Sequence, residues 1–162
     1  MNGLSLRRDA DGALVVSRIP PLLDAVLREI PSLLSPEQPE SAKKRLFPDP
    51  GGDPESVEEW RRTQHPELFA LLADARSVVE RDLVSLEPGR LGSRLTIPAA
   101  HANAWISALN AARLALGAVH EVTAADMEAD DEPPLDERGW AILRIHLYAW
   151  LQATLIDAAP PA

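Results

Sequence analysis

One stretch, Thr96 to Gly117, constrains the fold more than any other: Thr-Ile-Pro-Ala-Ala-His-Ala-Asn-Ala-Trp-Ile-Ser-Ala-Leu-Asn-Ala-Ala-Arg-Leu-Ala-Leu-Gly. It reads as a helix marked at both ends. Thr96 suits the N-cap, Pro98 is tolerated in the first turn, and Gly117 suits a left-handed stop. At about 100° per residue, Trp105, Leu109, Ala112 and Leu116 fall on one stripe. Ala104, Ala108, Ala111 and Ala115 form the next, where a second backbone can come close. Asn103, Ser107 and Asn110, with Leu114, occupy a narrow remaining arc. A helix with so little polar surface must be covered on most sides, so the rest of the chain has to wrap it.

The other segments fit that task. The chain has 162 residues, enough for one domain with a sizeable core, and it contains no cysteine. Disulfides and thiolate chemistry are therefore excluded, and a reducing cytoplasm is the expected location. Leu4 to Val16 reads as a β-hairpin turning at Ala10-Asp11-Gly12, with Leu4, Leu6, Leu14 and Val16 on one buried face. Pro20-Pro21 opens a helix through Leu23, Val26, Leu27, Ile30 and Leu34, which Pro31 is expected to kink or end. Residues 35–54, rich in proline and carrying Gly51-Gly52, read as an extended loop pinned by Leu46 and Phe47. Asp53-Pro54 starts a short helix ending near His65. A second, from Pro66, has Leu68, Leu72, Ala75, Val79, Leu83 and Leu86 on its core face and an Arg76–Glu80 pair. Residues 118–137 read as an acidic loop. The last helix, from about Glu137 to Asp157, is apolar nearly all round, so it is either central or covered by a second subunit. The fold expected is mainly α: four or five helices in an orthogonal or bundle arrangement, with an N-terminal hairpin over residues 1–19, all within one domain spanning 1–162.

No catalytic spacing is evident. Arg62, Pro98, Gly117 and Leu143 stand three residues before the four histidines, so the Glu-x-x-His pairs of a bundle metal site are missing. His120-Glu121 has Ala124 at the place of a second zinc ligand. His65 is expected to start a helix and His146 to be hydrogen-bonded near the core. Asp126, Glu128, Asp130 and Glu137 match part of a calcium loop, but Asp131 stands where glycine must turn. There is no nucleophile elbow and no phosphate-binding loop. No cofactor is expected and the chain is not expected to be an enzyme.

Charge narrows the partners. A net charge of -9 repels phosphate backbones and anionic membranes unless basic residues gather on one face. The clusters Arg7-Arg8, Lys43-Lys44-Arg45 and Arg61-Arg62 are short. A helix-turn-helix around Glu87–Leu95 would have a turn about twice the usual length and only Arg113 as a basic contact in its second helix. The first residues have no apolar run after a basic start, so no signal peptide is expected. Arg144, His146 and Gln152 argue against a membrane span in the last apolar segment. Asn110 and Arg113, polar residues in the densest apolar stretch, lie about 60° apart on one side of their helix. They either satisfy buried neighbours or hold a partner.

The run Trp105 to Gly117 resembles the signature of an uncharacterised actinobacterial family, domain of unknown function two thousand and seventeen. Leu46-Phe47-Pro48-Asp49 with Glu59-Trp60-Arg61-Arg62 is similar to it as well, as is Trp150-Leu151-Gln152 before Leu155-Ile156. Ala111 departs from the acidic residue common in that family, and Trp60 from phenylalanine. The resemblance implies no established activity. Through gene neighbourhood with the ClpS-type adaptor it implies a regulatory or adaptor role near regulated proteolysis, with that adaptor or the Clp protease as partner. The reading is a non-enzymatic protein-binding module, with a homodimer as one form of it and Asn110, Arg113, Arg61, Arg62 and Gln152 as candidate partner contacts. The alternatives are a transcriptional regulator and a helical-bundle enzyme or metal-binding protein.

Overall fold

The computed structural model describes residues 4–129 and 132–157. Its elements, in order, are β1 (Ser5–Arg8), β2 (Leu14–Ile19), α1 (Pro21–Leu33), α2 (Glu40–Leu46), α3 (Pro54–Val84), β3 (Ser93–Ile97), a 3-10 turn (Ala99–His101), α4 (Ala102–Val119), α5 (Ala124–Glu128) and α6 (Glu137–Asp157). The class is mainly α with an N-terminal hairpin, as expected. Helix α4 is the centre. Trp105, Ala108, Leu109, Ala112 and Ala115 have no exposed surface, and the helix packs against α6, α2, α3 and α1. The bulky stripe meets the facing helices and the alanine stripe lets them approach. Asn103, Ser107 and Asn110 remain exposed.

The hairpin becomes a three-stranded antiparallel sheet in the order β1-β2-β3. Gly12 takes the left-handed conformation with φ 80°, and the Asp9 carboxylate accepts from the Asp11 and Ala13 amides to tie the turn. Leu6 lies opposite Val16. Leu14 and Val16 are buried, but Leu6 is exposed and Leu4 only half-buried. β1 is the sheet's edge, and the apolar cover reaches β2 and β3 instead. The added strand takes Thr96 away from the expected helix cap: Thr96 pairs with Val15, and α4 starts after Pro98 through the 3-10 turn. Gly117 does not stop α4, which continues to Val119 before Glu121 turns it at φ 52°. The segment Glu87–Leu95 is not a helix-turn-helix, because Glu87 pairs with Arg94 and leads into β3.

Prolines are less disruptive than their number suggested. Pro31 sits inside α1 and Pro66 inside a continuous 31-residue α3. Pro66 is exposed, so water can serve the carbonyl that its ring leaves unpaired. Asp53 does cap α3, its side chain accepting from the Ser56 amide at 3.0 Å. The expected loop over 35–54 contains α2, with Glu40 in its first turn and Lys43, Lys44 and Arg45 in its last, as the helix dipole favours. Ala42 is fully buried, Leu46 packs on the core, and Phe47 stacks on Phe69 at 4.0 Å. The acidic segment likewise contains α5, held by a capping box between Thr123 and Asp126.

Candidate functional site

The structure gathers part of the predicted polar set around one cavity. Arg113 donates from Nη1 to Gln152 Oε1 at 2.7 Å, and Gln152 donates to the Ile106 carbonyl at 3.3 Å. This ties α4 to α6. Arg113 Nε is buried without a hydrogen-bond partner. Asn110 does not cap a neighbouring element: it is exposed, and with Arg113 it lines a cavity of about 430 Å³. Arg45, from the last turn of α2, lines it too, over an apolar floor that includes Leu114, Val122, Met127 and Ile145. Among the described residues, neither Arg45 nor Arg113 joins an ion pair. On a chain of net charge -9, two guanidinium groups therefore share a cavity without an ion-pairing carboxylate among the described residues.

At the rim of this cavity, Thr123 and Asp126 close their capping box, and Arg138 reaches Asp126 at 2.6 Å. The Thr123 hydroxyl and amide, followed by Arg138, hold the Asp126 carboxyl below its usual range. Asp130 and Asp131 of the acidic segment lie outside the described residues. Arg61 and Arg62 do not join the cavity's lining. Arg61 makes a two-pronged contact with Asp49 at 2.9 and 2.6 Å, which fastens the segment after α2 to α3. Arg62 is exposed on the same helix.

Sequence reasoning missed a second cluster. Asp82, in the apolar stripe of α3, is almost wholly buried. Its Oδ2 accepts from Trp105 Nε1 at 2.8 Å, and both its oxygens lie 2.9 Å from His101 Nδ1. A carboxylate only accepts, so the His101 ring donates from Nδ1. The group locks the C-terminal end of α3 to the start of α4. A charged residue three after Val79 in a core stripe, and His101 four before Trp105, were its signals. Near β3, Asp24 accepts from Ser93 and from Arg28, and Arg28 also donates to the Leu86 carbonyl at 3.0 Å. Burial alone would raise the Asp24 pKa, but the Ser93 and Arg28 hydrogen bonds and the Arg28 charge outweigh it and hold the carboxyl below its usual range.

The histidines depart from their expected places. His65 lies inside α3, its ring centroid 6.0 Å from that of Phe47, with Nε2 buried and unpartnered. His146 is exposed on α6. Among the described residues no group of three or more His, Cys, Asp or Glu side chains could hold a metal ion, and no described helix is long and apolar enough to cross a membrane.

A mainly helical domain with a small sheet against one flank, and a cationic cavity beside its central helix, is what this sequence builds. The sequence model described as "Domain of unknown function (DUF2017)" matches residues 5–159, and the chain belongs to that family. No curated protein and no solved structure matches it.

Proposed function

We propose that the chain is a non-enzymatic protein-binding module, regulatory or adaptor in role, and that the cavity between α2, α4 and α5 receives a carboxylate-bearing segment of its protein partner. The observation that carries this reading is the unneutralised pair Arg45 and Arg113 in one cavity. A guanidinium fork is suited to carboxylates, and the apolar floor suits an acidic side chain or chain end flanked by apolar residues. Asn110 adds an exposed amide that can serve a partner's backbone. A partner tied to Clp-type regulated proteolysis is the specific form of this proposal, and it rests on the family's gene neighbourhood. A regulator of transcription is less favoured, since the chain is acidic and Arg61 is engaged by Asp49.

The test is affinity capture of the full chain from its host's lysate beside two variants, Arg45→Glu and Arg113→Gln. Arg45 is exposed and joins no ion pair among the described residues, so its reversal leaves the fold unchanged. Recovery of a Clp adaptor or protease subunit by the natural chain, lost with both variants, supports the reading. Recovery that is indifferent to both, or of DNA alone, overturns it.

A further inference from the structure

A separate surface, between α1 and α6, has a pattern the cavity does not explain. Trp140, Leu143, Leu147 and Trp150 follow one another at intervals of three, four and three residues, so they form a seam along α6. With Leu22 and Leu23 of α1 they line an open groove of about 480 Å³. Leu22 is 63% exposed and Leu143 48%. An apolar face of this kind on a charged protein marks a contact surface.

The sequence of the seam reads almost the same in both directions. About Ile145, itself buried on the opposite side, Leu143 matches Leu147 and Trp140 matches Trp150 within the groove, with Arg144 and His146 flanking them. A two-fold interface requires one patch to complement itself. Two α6 helices, antiparallel about an axis level with Ile145, set each tryptophan against the opposite one and Leu143 against Leu147. We propose that this face binds a second copy of the chain, making a four-helix contact from α1 and α6 of each protomer.

Charge and area agree with that occupant. The ionisable groups lining the groove are Arg144 and His146, and Arg144 is paired with Glu29 at 2.7 Å. Two chains of net charge -9 repel over most of their surfaces, but here the charge is balanced. Because Arg144 is one residue from the axis it meets its own image, and its pairing with Glu29 in each copy neutralises a charge that would otherwise repel there. Helices of 21 and 13 residues are about 31 and 20 Å long and about 10 Å across. The groove-lining stretches, 140–150 of α6 and 22–26 of α1, take up about half of that length, so the interface lies at the small end of the size range, among weak and transient contacts. The expected dimer is reversible, with Kd in the micromolar range.

Sedimentation equilibrium of the full chain over a concentration series tests this, beside Leu143→Glu. The natural chain should dimerise. The variant should raise Kd about 100-fold or more, since the substitution is present in both copies, with its circular dichroism unchanged because Leu143 is half exposed. The orientation is tested by mixing Leu143→Cys and Leu147→Cys proteins in a chain that has no other cysteine. With equal amounts of the two proteins, mild oxidation should give more mixed disulfide than both self-linked products together, which is the level chance pairing would reach. A chain that stays monomeric up to about 1 mM overturns the proposal, as does a dimer indifferent to Leu143→Glu or a mixed disulfide at or below the chance level. Should Leu143→Glu fail to fold, the two cysteine proteins decide.

Discussion

Replacing Asp82 with alanine should be among the most damaging single changes in the chain. The carboxylate is 7% exposed and accepts from Trp105, which has no exposed surface, and from His101. Removing it leaves the indole N–H and the imidazole N–H without an acceptor in the core. An unsatisfied buried donor costs about 1–3 kcal/mol. His101 keeps about a quarter of its side chain exposed, so water recovers part of its loss. The net cost is then about 3 kcal/mol, less than two fully buried donors would give. For a chain of this size that lowers Tm by roughly 6–12 °C. Urea unfolding followed by tryptophan fluorescence and circular dichroism measures it. The double-mutant cycle with Trp105→Phe isolates the shared hydrogen bond, and a coupling of about 1.5–3 kcal/mol is expected from a buried charged acceptor. A cost for Asp82→Ala below about 1 kcal/mol, or a coupling near zero, would refute the argument that this carboxylate locks α3 to α4.

Tyr148 is the sole tyrosine, fully buried, and donates to the Val26 carbonyl at 2.8 Å. Burial, then the Glu29 charge, pushes its phenol well above the ordinary value. Ultraviolet titration of the folded chain should show no tyrosinate up to about pH 11, where an exposed phenol is mostly ionised. Its contribution to stability is fully present below the unfolded pKa of about 10 and is lost as pH rises toward the folded value. On the acid side, Asp24 is held below its usual range, so its contribution is present above about pH 4 and is lost as pH falls through the lower folded pKa; Asp24→Asn should flatten the acid limb of a stability–pH curve. Gly92 has φ 114°, and an added Cβ would lie 2.7 Å from the Ile19 carbonyl oxygen. Gly92→Ala should therefore destabilise by about 1–3 kcal/mol and loosen the β2–β3 pairing, read as faster amide exchange in β3.

The periodic apolar signal carried most of the helices, and it did so by local rules. Helix α4 was legible because Trp105, Leu109 and Leu116 recur with the helical period in an alanine background. Asp53 could be read as a cap, and α6 could be bounded at Glu137 and Asp157, for similar reasons. What a window of sequence encodes is which residues must leave water together. It does not encode which surface will receive them. Ser93 to Ile97 became a strand because β2 offered an open edge, and only the folded chain brings that edge, 74 or more residues earlier in sequence, beside it. The proline-rich segment contains α2 because Ala42 finds a pocket against α4. Leu6 stays exposed because the sheet's cover ends at β2.

The same division holds for the sites. Asn110 and Arg113 stood out in sequence as polar residues in an apolar run. That Gln152 holds Arg113, that Arg45 joins the cavity and that Arg61 is tied to Asp49 depended on contacts between distant segments. Composition settled the net charge, the absence of thiol chemistry and the helical class, since these are sums or short-range periodicities. Tertiary structure decided which charges are paired and which, among the described residues, are not, because an ion pair depends on the distance between two side chains, and only folding sets that distance.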